Sequence, residues 1–251
     1  MVDKRDFAGQ VVVVVGAGNG IGRATVGLLK ERGARVIAFD NNGEALKALR
    51  AEFSLDETQI STLDVSDEEQ VRESIAQVLA QEKRIDALVN SAGMTGPTNR
   101  KLEEVLWSEF EKTLRVNLFG AIWLTQQVLP IMKAQKYGRI VHVTSIAGKE
   151  GNPGMAPYNT SKSGMIGFVK GIAKEVAPEG ITINAVAPAV IRTPMNAETS
   201  EETLKYMIAR IPMGRVGEAE EVAETICFAA SRACSFTTGF TFDTSGGRAT
   251  Y

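Results

Sequence analysis

A glycine-rich segment near the N-terminus constrains the fold of this chain more than any other feature. Residues 16–22 read Gly-Ala-Gly-Asn-Gly-Ile-Gly and follow Val11–Val15, an apolar β-branched run typical of a strand buried on both faces in a parallel sheet. A helical pattern continues to Arg32, and Gly33 is a natural stop. Strand, glycine turn and helix in this order predict the first half of a dinucleotide-binding βαβ unit. The glycines let the backbone approach a pyrophosphate, and the helix N-terminus supplies amide donors.

The glycine spacing identifies which residues would surround the phosphates. It is G-x-x-x-G-x-G through Gly16, Gly20 and Gly22, because Ile21 stands where a strict G-x-G-x-x-G would need its last glycine. Asn19 and Ile21 lie inside the same turn and join the candidate cofactor-binding residues.

The end of the second strand-like run bears on cofactor choice. Arg35–Phe39 is followed by Asp40, whose carboxylate would accept hydrogen bonds from the adenosine ribose hydroxyls and repel the additional phosphate of NADP. Asn41 and Asn42 beside it bring no positive charge to offset that repulsion. We therefore expect NAD as the cofactor, with NADP the less favoured alternative.

Three polar residues in the C-terminal half form a candidate proton-transfer site. Tyr158 and Lys162 are four residues apart, so on a helix they share one face. A nearby cation should lower the pKa of a tyrosine, about 10 when unperturbed, toward neutrality. Ser145, thirteen residues before Tyr158, could hold the reacting oxygen beside the phenol. A Tyr-x-x-x-Lys pair alone is also common on ordinary helix surfaces, and its meaning here depends on the nucleotide-binding segment that precedes it.

Strand-like and helix-like runs alternate along the rest of the chain. The strand-like runs are Ile60–Asp64, Ala87–Asn90, Arg139–Ser145, Thr182–Val186 and Phe240–Asp243, and helical patterns include Asp67–Glu82, Trp107–Lys136, Pro157–Ala177 and Glu218–Ser231. This order predicts an α/β fold with a doubly wound parallel sheet of about seven strands and helices on both faces. Ligands should bind outside the carboxyl ends of the strands.

Composition and missing motifs exclude other classes. A net charge of −2 and 44% hydrophobic residues give no nucleic-acid-binding signature. There is no apolar run of about eighteen residues and no apolar segment behind the polar Met1–Asp6, so we expect a cytoplasmic protein without a membrane partner. The single histidine, His142, lies between valines in a strand, which argues against a metal site. Ser145 lacks the G-x-S-x-G turn of hydrolases.

Together these motifs resemble the short-chain dehydrogenase/reductase family over essentially the whole chain. The glycine turn matches the first family fingerprint, with Val15 in place of the usual threonine. Residues 90–93 match the Asn-Asn-Ala-Gly segment, with Ser91 replacing the second asparagine. Pro188–Thr193 fills the Pro-Gly-x-x-x-Thr position, with Ala189 replacing the glycine. The resemblance implies a single Rossmann-type domain spanning residues 1–251.

The resemblance also implies roles for individual residues. Asn117 would complete a catalytic tetrad with Ser145, Tyr158 and Lys162 by holding a water behind the lysine, and Lys162 would also hold the nicotinamide ribose. The N-terminal half would bind the cofactor, and the C-terminal half would carry catalysis and substrate binding. The expected cofactor-binding residues are Gly16, Asn19, Gly20, Ile21, Gly22, Asp40, Asn41, Asp64, Val65, Asn90, Ala92, Gly93, Tyr158, Lys162, Ile191 and Thr193.

The substrate-binding region is defined less sharply. Its walls should come from Met94–Thr98, Ile146–Met155, Ala189–Val190 and a lid over about residues 195–211. Candidate substrate-binding residues are Ser145, Lys149, Asn152, Tyr158 and Arg192, with Arg248 as a further cation. Any one of these cations could instead be ordinary solvated surface charge. Residues 242–251 resemble the tails of family members that oxidise sugars or sugar acids.

The expected activity is reversible hydride transfer that oxidises a secondary alcohol to a ketone with NAD. The favoured substrate is small and polar, such as a sugar or sugar acid. One alternative is a 3-oxoacyl thioester (acyl-carrier-protein) reductase that uses NADPH, which Asp40 disfavours. Another is an NAD-binding regulatory protein with a dormant site, which the complete tetrad disfavours. The resemblance further implies a homotetramer.

Overall fold

A computed structural model describes residues 6–194 and 200–251 and places a parallel sheet at the centre of the molecule. Within these residues the strands are β1 (Val11–Val15), β2 (Arg35–Asp40), β3 (Ile60–Thr62), β4 (Ala87–Asn90), β5 (Gly138–Val143), β6 (Ile181–Pro188), β7 (Ile191–Arg192), β8 (Gly217–Glu218) and β9 (Thr241–Thr244). Seven of them form one sheet in the order β3-β2-β1-β4-β5-β6-β9, and every neighbouring pair is parallel. The predicted doubly wound sheet is confirmed.

The strand order reverses between β1 and β4. Val15 pairs with Phe39 of β2 on one side and with Asn90 of β4 on the other, so the carboxyl ends of these strands meet at one edge. The chain leaves β1 toward β2 and β3 and returns to the other side of β1 as β4. In an open α/β sheet, the crevice at such a switch point is where ligands bind.

Helices cover both faces of the sheet. The helices among the described residues are α1 (Gly20–Glu31), α2 (Gly43–Phe53), α3 (Glu68–Glu82), α4 (Trp107–Leu114), α5 (Gly120–Gln135), α6 (Ala147–Glu150), α7 (Ala156–Val176), α8 (Glu201–Ala209) and α9 (Ala219–Ala230). The alternating side chains of β1 divide the core: Val12 and Val14 pack in the cluster that includes α1 and α9, whereas Val13 packs in the cluster that includes α3, α5 and α7. No helix in the described part of the chain is both long and apolar enough to cross a membrane.

The predicted helix Trp107–Lys136 is interrupted. A π-helical turn, Arg115–Phe119, separates α4 from α5 and contains the buried Asn117. A π turn holds one residue more than an α turn, and apolar residues continue on both sides of it, so hydrophobic periodicity does not reveal it.

Several element ends differ from prediction. β3 ends at Thr62, two residues early, because the chain turns at Asp64, whose Oδ1 accepts hydrogen bonds from the amide and the hydroxyl of Ser66, 2.9 and 2.7 Å away. The short parallel pair of β7 and β8 was not predicted. Residues 195–199 of the predicted lid lie outside the described residues, and the remainder contains α8.

Candidate active site

A cavity of about 610 Å³ lies beyond the carboxyl ends of the central strands. The sequence-predicted site residues that line it are Gly16, Asn19, Gly20, Ile21, Asp40, Asn41, Asp64, Val65, Ala92, Gly93, Ser145, Asn152, Tyr158, Lys162, Ile191 and Thr193. The predicted residues that do not line it are Gly22, Asn90, Asn117, Lys149 and Arg192. The structure therefore brings most of the predicted cofactor-binding and catalytic side chains to one place.

The glycine turn is shaped by close backbone contacts. Gly16 has φ 75°, and a Cβ on it would lie 2.5 Å from the backbone nitrogen of Ala92. A Cβ on Gly22 would lie 1.9 Å from the carbonyl oxygen of Gly16. Gly22 thus permits the helix to pack against the turn and does not itself form the cavity wall. The amides of Gly16 and Ala17 donate to the carbonyl of Phe39, 2.8 and 3.0 Å away, which ties the turn to β2.

The first turn of α1 keeps its amide donors free of side-chain caps. Asn19 is the N-cap residue but its side chain makes no capping hydrogen bond, whereas Asn42 and Asp67 cap α2 and α3. Gly20 and Ile21 of this turn line the cavity. Uncapped amides at the positive end of a helix dipole fit the pyrophosphate of a dinucleotide.

Asp40 is fixed at the end of β2 by backbone donors. Its Oδ2 accepts from the amide of Gly18 at 2.8 Å, and its Oδ1 accepts from the amide of Asn42 at 2.9 Å. Asp40 and Asn41 both line the cavity. The carboxylate keeps further lone pairs, and their use by ribose hydroxyls stays a prediction.

Two arginines near this site in the sequence are directed elsewhere. Arg23 pairs with Glu52, with 2.9 Å between its Nε and Oε2. Arg35 pairs with Glu82 at 2.7 Å and with Asp56 at 3.4 Å. Neither arginine lines the cavity. The sequence leaves their directions open, and the structure shows that both are engaged away from Asp40.

Asn90 and Asp64 shape neighbouring turns. Asn90 is buried behind the cavity wall, and its Oδ1 accepts from the amide of Ala92 at 3.2 Å. It supports the turn after β4 and is not positioned to contact a ligand directly. Asp64 and Val65 line the cavity after β3.

Ser145, Tyr158 and Lys162 converge at the ends of β5 and α7. Ser145 follows β5, and its side chain is close enough to the Tyr158 hydroxyl to affect the pKa of the tyrosine. The Nζ of Lys162 lies 5.7 Å from the centre of the Tyr158 ring and donates to the carbonyl of Val143 at 3.0 Å. All three side chains line the cavity. The four-residue spacing on one helix therefore places phenol and amine together, as predicted.

Burial shifts the two titratable groups of this trio. It raises the pKa of Tyr158 above its usual value, and the hydrogen bond from Ser145 opposes that rise. Burial also lowers the pKa of Lys162 to about 8. The expected net lowering of the tyrosine pKa is wrong for this arrangement, because desolvation of the phenolate outweighs the stabilising contacts.

Asn117 supports the trio from behind. Its Oδ1 accepts from the amide of Met94 at 2.8 Å, and its Nδ2 donates to the carbonyl of Met94 at 2.9 Å and to the hydroxyl of Ser161 at 3.0 Å. A Cβ on Gly93 would lie 3.3 Å from Asn117 Oδ1 and 3.4 Å from Lys162 Nζ. With its amide committed to these partners, Asn117 is a positioning residue, and a water held there stays a prediction.

Two predicted substrate-binding cations do not reach the cavity. Lys149 pairs with Asp243 at 3.0 Å, and its Nζ lies 5.0 Å from the ring centre of Tyr251. The side chain of Arg192 is 71% exposed and pairs with Glu218 at 3.1 Å. Both expectations are corrected, because distant partners in the sequence draw these side chains away.

The predicted cavity walls contribute residues from each segment. These residues are Met94, Thr95, Ile146, Asn152, Met155, Ala189, Val190 and Met207. Arg248 also lines the cavity and pairs with Glu150, with 3.1 Å between Nε and Oε2. Lys112 of α4 is a lining residue that sequence reasoning missed, since nothing distinguishes it from the other exposed lysines.

Comparison with known proteins identifies relatives along nearly the full chain. Residues 16–249 match a family model described as Enoyl-(Acyl carrier protein) reductase. The chain is 41% identical over 245 residues to 2-dehydro-3-deoxy-L-rhamnonate dehydrogenase (NAD(+)) from Sphingomonas sp. (strain SKA58), covering 98% of this chain and 97% of the relative. It is also 41% identical over 241 residues to 3-oxoacyl-(acyl-carrier-protein) reductase FabG from Thermotoga maritima, covering 95% and 97%. The crystal structure of levodione reductase is similar, with a TM-score of 0.91, 31% identity and coverage of 96% and 98%.

Proposed function

The chain belongs to the short-chain dehydrogenase/reductase family and is an oxidoreductase that acts on CH–OH groups, and from this premise we propose that it oxidises a small polar hydroxy compound with NAD. A sugar acid is the favoured substrate class. The observation that carries the cofactor assignment is the Asp40 carboxylate, held at the end of β2 by two backbone amides.

The charge around Asp40 favours NAD over NADP. The extra phosphate of NADP would lie near this carboxylate, and the two sequence-adjacent arginines, Arg23 and Arg35, form ion pairs elsewhere. A ribose diol would instead donate to the carboxylate, and such charge-assisted hydrogen bonds are among the stronger ones. The Sphingomonas relative, whose name specifies NAD(+), supports the same choice.

The substrate assignment rests on the polar groups opposite the cofactor site. Asn152 and Arg248 line the cavity among apolar residues such as Met155 and Met207. The Sphingomonas relative acts, by its name, on a deoxy sugar acid. A hydroxy acid therefore fits both the lining and the resemblance better than an unsubstituted alcohol.

The proposed mechanism divides the work among three side chains. When bound, NAD supplies the hydride acceptor at its nicotinamide ring. Ser145 holds the substrate hydroxyl by a hydrogen bond next to Tyr158, and Tyr158 in its phenolate form accepts the hydroxyl proton as the carbonyl forms. Because burial raises the pKa of Tyr158, the fraction of phenolate and with it the oxidation rate should rise with pH. Lys162 contributes positive charge beside the phenol, and Asn117 keeps the backbone behind Lys162 in place.

A second candidate is reduction of a 3-oxoacyl thioester. The Thermotoga relative carries that activity in its name at 41% identity. Methionines 94, 155 and 207 in the cavity wall could pack against an acyl chain. Asp40 disfavours this second function, because its carboxylate would repel the additional phosphate of NADPH.

A parallel assay separates the candidates. Purified protein is given NAD or NADP with sugars, sugar acids, hydroxyacyl thioesters and simple alcohols, and formation of the reduced cofactor is followed by absorbance. We expect turnover with NAD on a hydroxy acid. Activity confined to NADP and acyl thioesters would replace the proposal with the reductase, and NADH binding without any turnover would favour a regulatory protein.

The assembly is part of the same proposal. We propose a homotetramer in which α8 acts as a lid over the substrate. Light scattering that gives the mass of a single chain would remove the tetramer. Protease protection of the α8 region that does not change on adding NADH and substrate would remove the lid.

A further inference from the structure

The substrate region of the cavity contains a buried arginine that the proposed mechanism does not use. The Arg248 side chain is only 6% exposed, yet it lines the cavity together with Asn152 and Met207. We refer to Glu150, Asn152 and Arg248 as the arginine end of the cavity. A buried guanidinium needs partners for its charge and its five N–H donors.

Two glycines directly before Arg248 form a turn that directs the chain toward the cavity. Gly246 and Gly247 have φ values of 64° and 88°, which side-chain-bearing residues rarely adopt. A Cβ on Gly246 would lie 2.7 Å from Ile211 Cγ2, so the turn packs closely on the segment that follows α8. The hydroxyl of Ser245 accepts a hydrogen bond from the amide of Ala249 at 3.0 Å, and this bond closes the turn that contains Arg248.

The protein partners of Arg248 leave donors and charge unsatisfied. Its Nε donates to Glu150 at 3.1 Å and its Nη2 donates to Asn152 Oδ1 at 3.1 Å, while no residue in the described ranges accepts from Nη1. Glu150 is also shared with Arg210 at 3.5 Å. Two guanidinium groups thus share one carboxylate, which leaves one net positive charge beside the cavity.

The arginine end is connected rigidly to the catalytic tyrosine. The amide of Asn152 donates to Asn159 Oδ1 at 3.1 Å, and Asn159 Nδ2 donates back to the carbonyl of Asn152 at 2.7 Å. Asn159 directly follows Tyr158 on α7. A ligand group held by Arg248 would therefore have a defined position relative to the Tyr158 hydroxyl.

We propose that Arg248 binds the carboxylate of the substrate and so makes the enzyme selective for hydroxy acids over neutral alcohols. This inference rests on the proposed function and specifies its substrate class. The Nη1 donors and the net charge of the cluster match a carboxylate, and Glu150 and Asn152 hold the guanidinium plane in one orientation. Arg248 is a specificity-determining residue, and Tyr158 and Ser145 carry out the chemistry.

The test compares an acid with its neutral counterpart. Kinetics are measured for the best hydroxy acid of the assay panel and for its amide, with wild type, Arg248→Met, Arg248→Lys and Arg210→Met. Arg248→Met should raise KM for the acid by about 10- to 100-fold and leave the amide nearly unchanged, because one charge-assisted hydrogen-bonded contact is lost. Arg248→Lys should recover part of the loss, since it keeps the charge without the planar fork.

Arg210→Met is the matched control, because Arg210 shares Glu150 but does not line the cavity. It should lower the acid-to-amide ratio of kcat/KM much less than Arg248→Met does, because it removes the shared charge but leaves the Nη1 donors of Arg248 in place. Equal losses on acid and amide in Arg248→Met, or no loss on either, would overturn the inference, since both mean that Arg248 does not recognise the carboxylate. Thermal melting of each variant identifies any that fails to fold, and Arg248→Lys then decides by the same ratio.

A binding measurement separates this inference from the proposed function. If wild type oxidises no hydroxy acid, the proposed function fails, and calorimetry then measures binding of the same acid to the NADH-bound protein. Binding that weakens in Arg248→Met supports the carboxylate site independently of turnover. Absence of binding, or binding unaffected by the substitution, overturns it.

Discussion

The two ends of the cavity are built from different materials. At the glycine end, which we define as the turn 16–22 together with Asp40, close backbone packing fixes the shape of the turn. A Cβ on Gly16 or Gly22 would lie 2.5 Å or less from backbone atoms. At the arginine end, Arg248, Glu150 and Asn152 hold one another by side-chain contacts of 3.0–3.1 Å. Backbone contacts tolerate almost no change, whereas side-chain contacts can be exchanged for others.

This difference separates what the family shares from what an individual enzyme selects. A dinucleotide presents the same pyrophosphate and ribose to every enzyme, so a fixed backbone surface is sufficient. Substrates vary in charge and size, and a wall of paired side chains can be altered without moving a strand. The two ends should therefore respond differently to substitution.

The largest expected effect comes from substituting Tyr158, the proposed proton acceptor. Tyr158→Phe removes the proton acceptor and should lower kcat by about 100- to 10,000-fold. NADH affinity, measured by fluorescence titration, should stay near that of wild type because neither end is altered. Tyr137→Phe is the control, since the Tyr137 hydroxyl contacts Gln10 at 3.3 Å outside the cavity. Retained turnover in Tyr158→Phe would contradict the catalytic assignment.

A single methyl group should damage the glycine end severely. In Gly22→Ala, the new Cβ would lie 1.9 Å from the Gly16 carbonyl, so the turn or the helix must move. We expect the free energy of unfolding to fall by about 3 kcal/mol, at the upper end of overpacking costs. Urea denaturation measures the fall, and NADH titration should show weakened binding.

Gly167→Ala provides the contrast for that substitution. Gly167 lies within α7, and a Cβ there meets nothing within 4 Å. Alanine in a helix interior is favoured over glycine by about 1 kcal/mol, so this variant should be slightly stabilised. If urea denaturation gives Gly22→Ala and Gly167→Ala the same free energy of unfolding, the close contact at Gly22 does not restrict the glycine end.

Changing the Asp40 side chain should alter the preference for NAD over NADP more than it alters the stability of the fold. Asp40→Ser removes the charge that opposes an additional phosphate, and the kcat/KM ratio of NAD to NADP should fall by about 10- to 100-fold. Asp67→Ser is the control, because the Asp67 carboxylate also accepts hydrogen bonds from two backbone amides but the residue does not line the cavity. An unchanged ratio in Asp40→Ser would refute the role of Asp40 in cofactor choice.

The smallest expected effect concerns His142, a histidine whose pKa is influenced by its burial and by Lys162. Burial, with a smaller contribution from Lys162, lowers the pKa of His142 from 6.5 to about 3, and its Nε2 lies 3.0 Å from Thr125 Oγ1. Between these two pH values the unfolded chain binds a proton that the folded protein does not. The stability due to neutral His142 is therefore complete above pH 6.5 and is lost progressively as the pH falls toward 3.

His142→Gln tests that linkage. Because His142 is the only histidine in the chain, the substitution removes one proton from the pH dependence of unfolding. The slope of the unfolding free energy should decrease by about 1.4 kcal/mol per pH unit at pH values roughly one to two units below the ordinary histidine pKa. Urea denaturation over that range measures it, and identical slopes in the two proteins would mean that His142 is protonated in the folded state.

Sequence reasoning succeeded where the controlling interactions are local. The valine run of β1, the glycine turn and Asp40 follow one another within residues 11–40, and each is recognisable from its neighbours. The Tyr158 and Lys162 pair needed only helix geometry to be placed together. These elements account for the sheet, the glycine end and the positions of the proposed catalytic residues.

Sequence reasoning failed where a distant partner decides the outcome. Lys149 was expected at the substrate, but Asp243, 94 residues later, holds it outside the cavity. Arg248, named from the sequence only as one of several cations, reaches the cavity because Glu150 and Asn152, 98 and 96 residues earlier, accept hydrogen bonds from its guanidinium. The raised pKa of Tyr158 likewise follows from burial, which depends on the whole fold.

The π turn at Arg115–Phe119 has a consequence for how such a site can arise. A π turn contains one residue more than the α turn that it replaces, so a single inserted codon in a regular helix is enough to produce it. In a continuous α-helix that insertion would rotate everything beyond it by about 100° around the helix axis, whereas a π turn absorbs the extra residue locally. The placement of Asn117 behind Lys162 is thus separated from an uninterrupted helix by one genetic event. Comparisons of chain length within this helix therefore carry information that comparisons of residue identity do not.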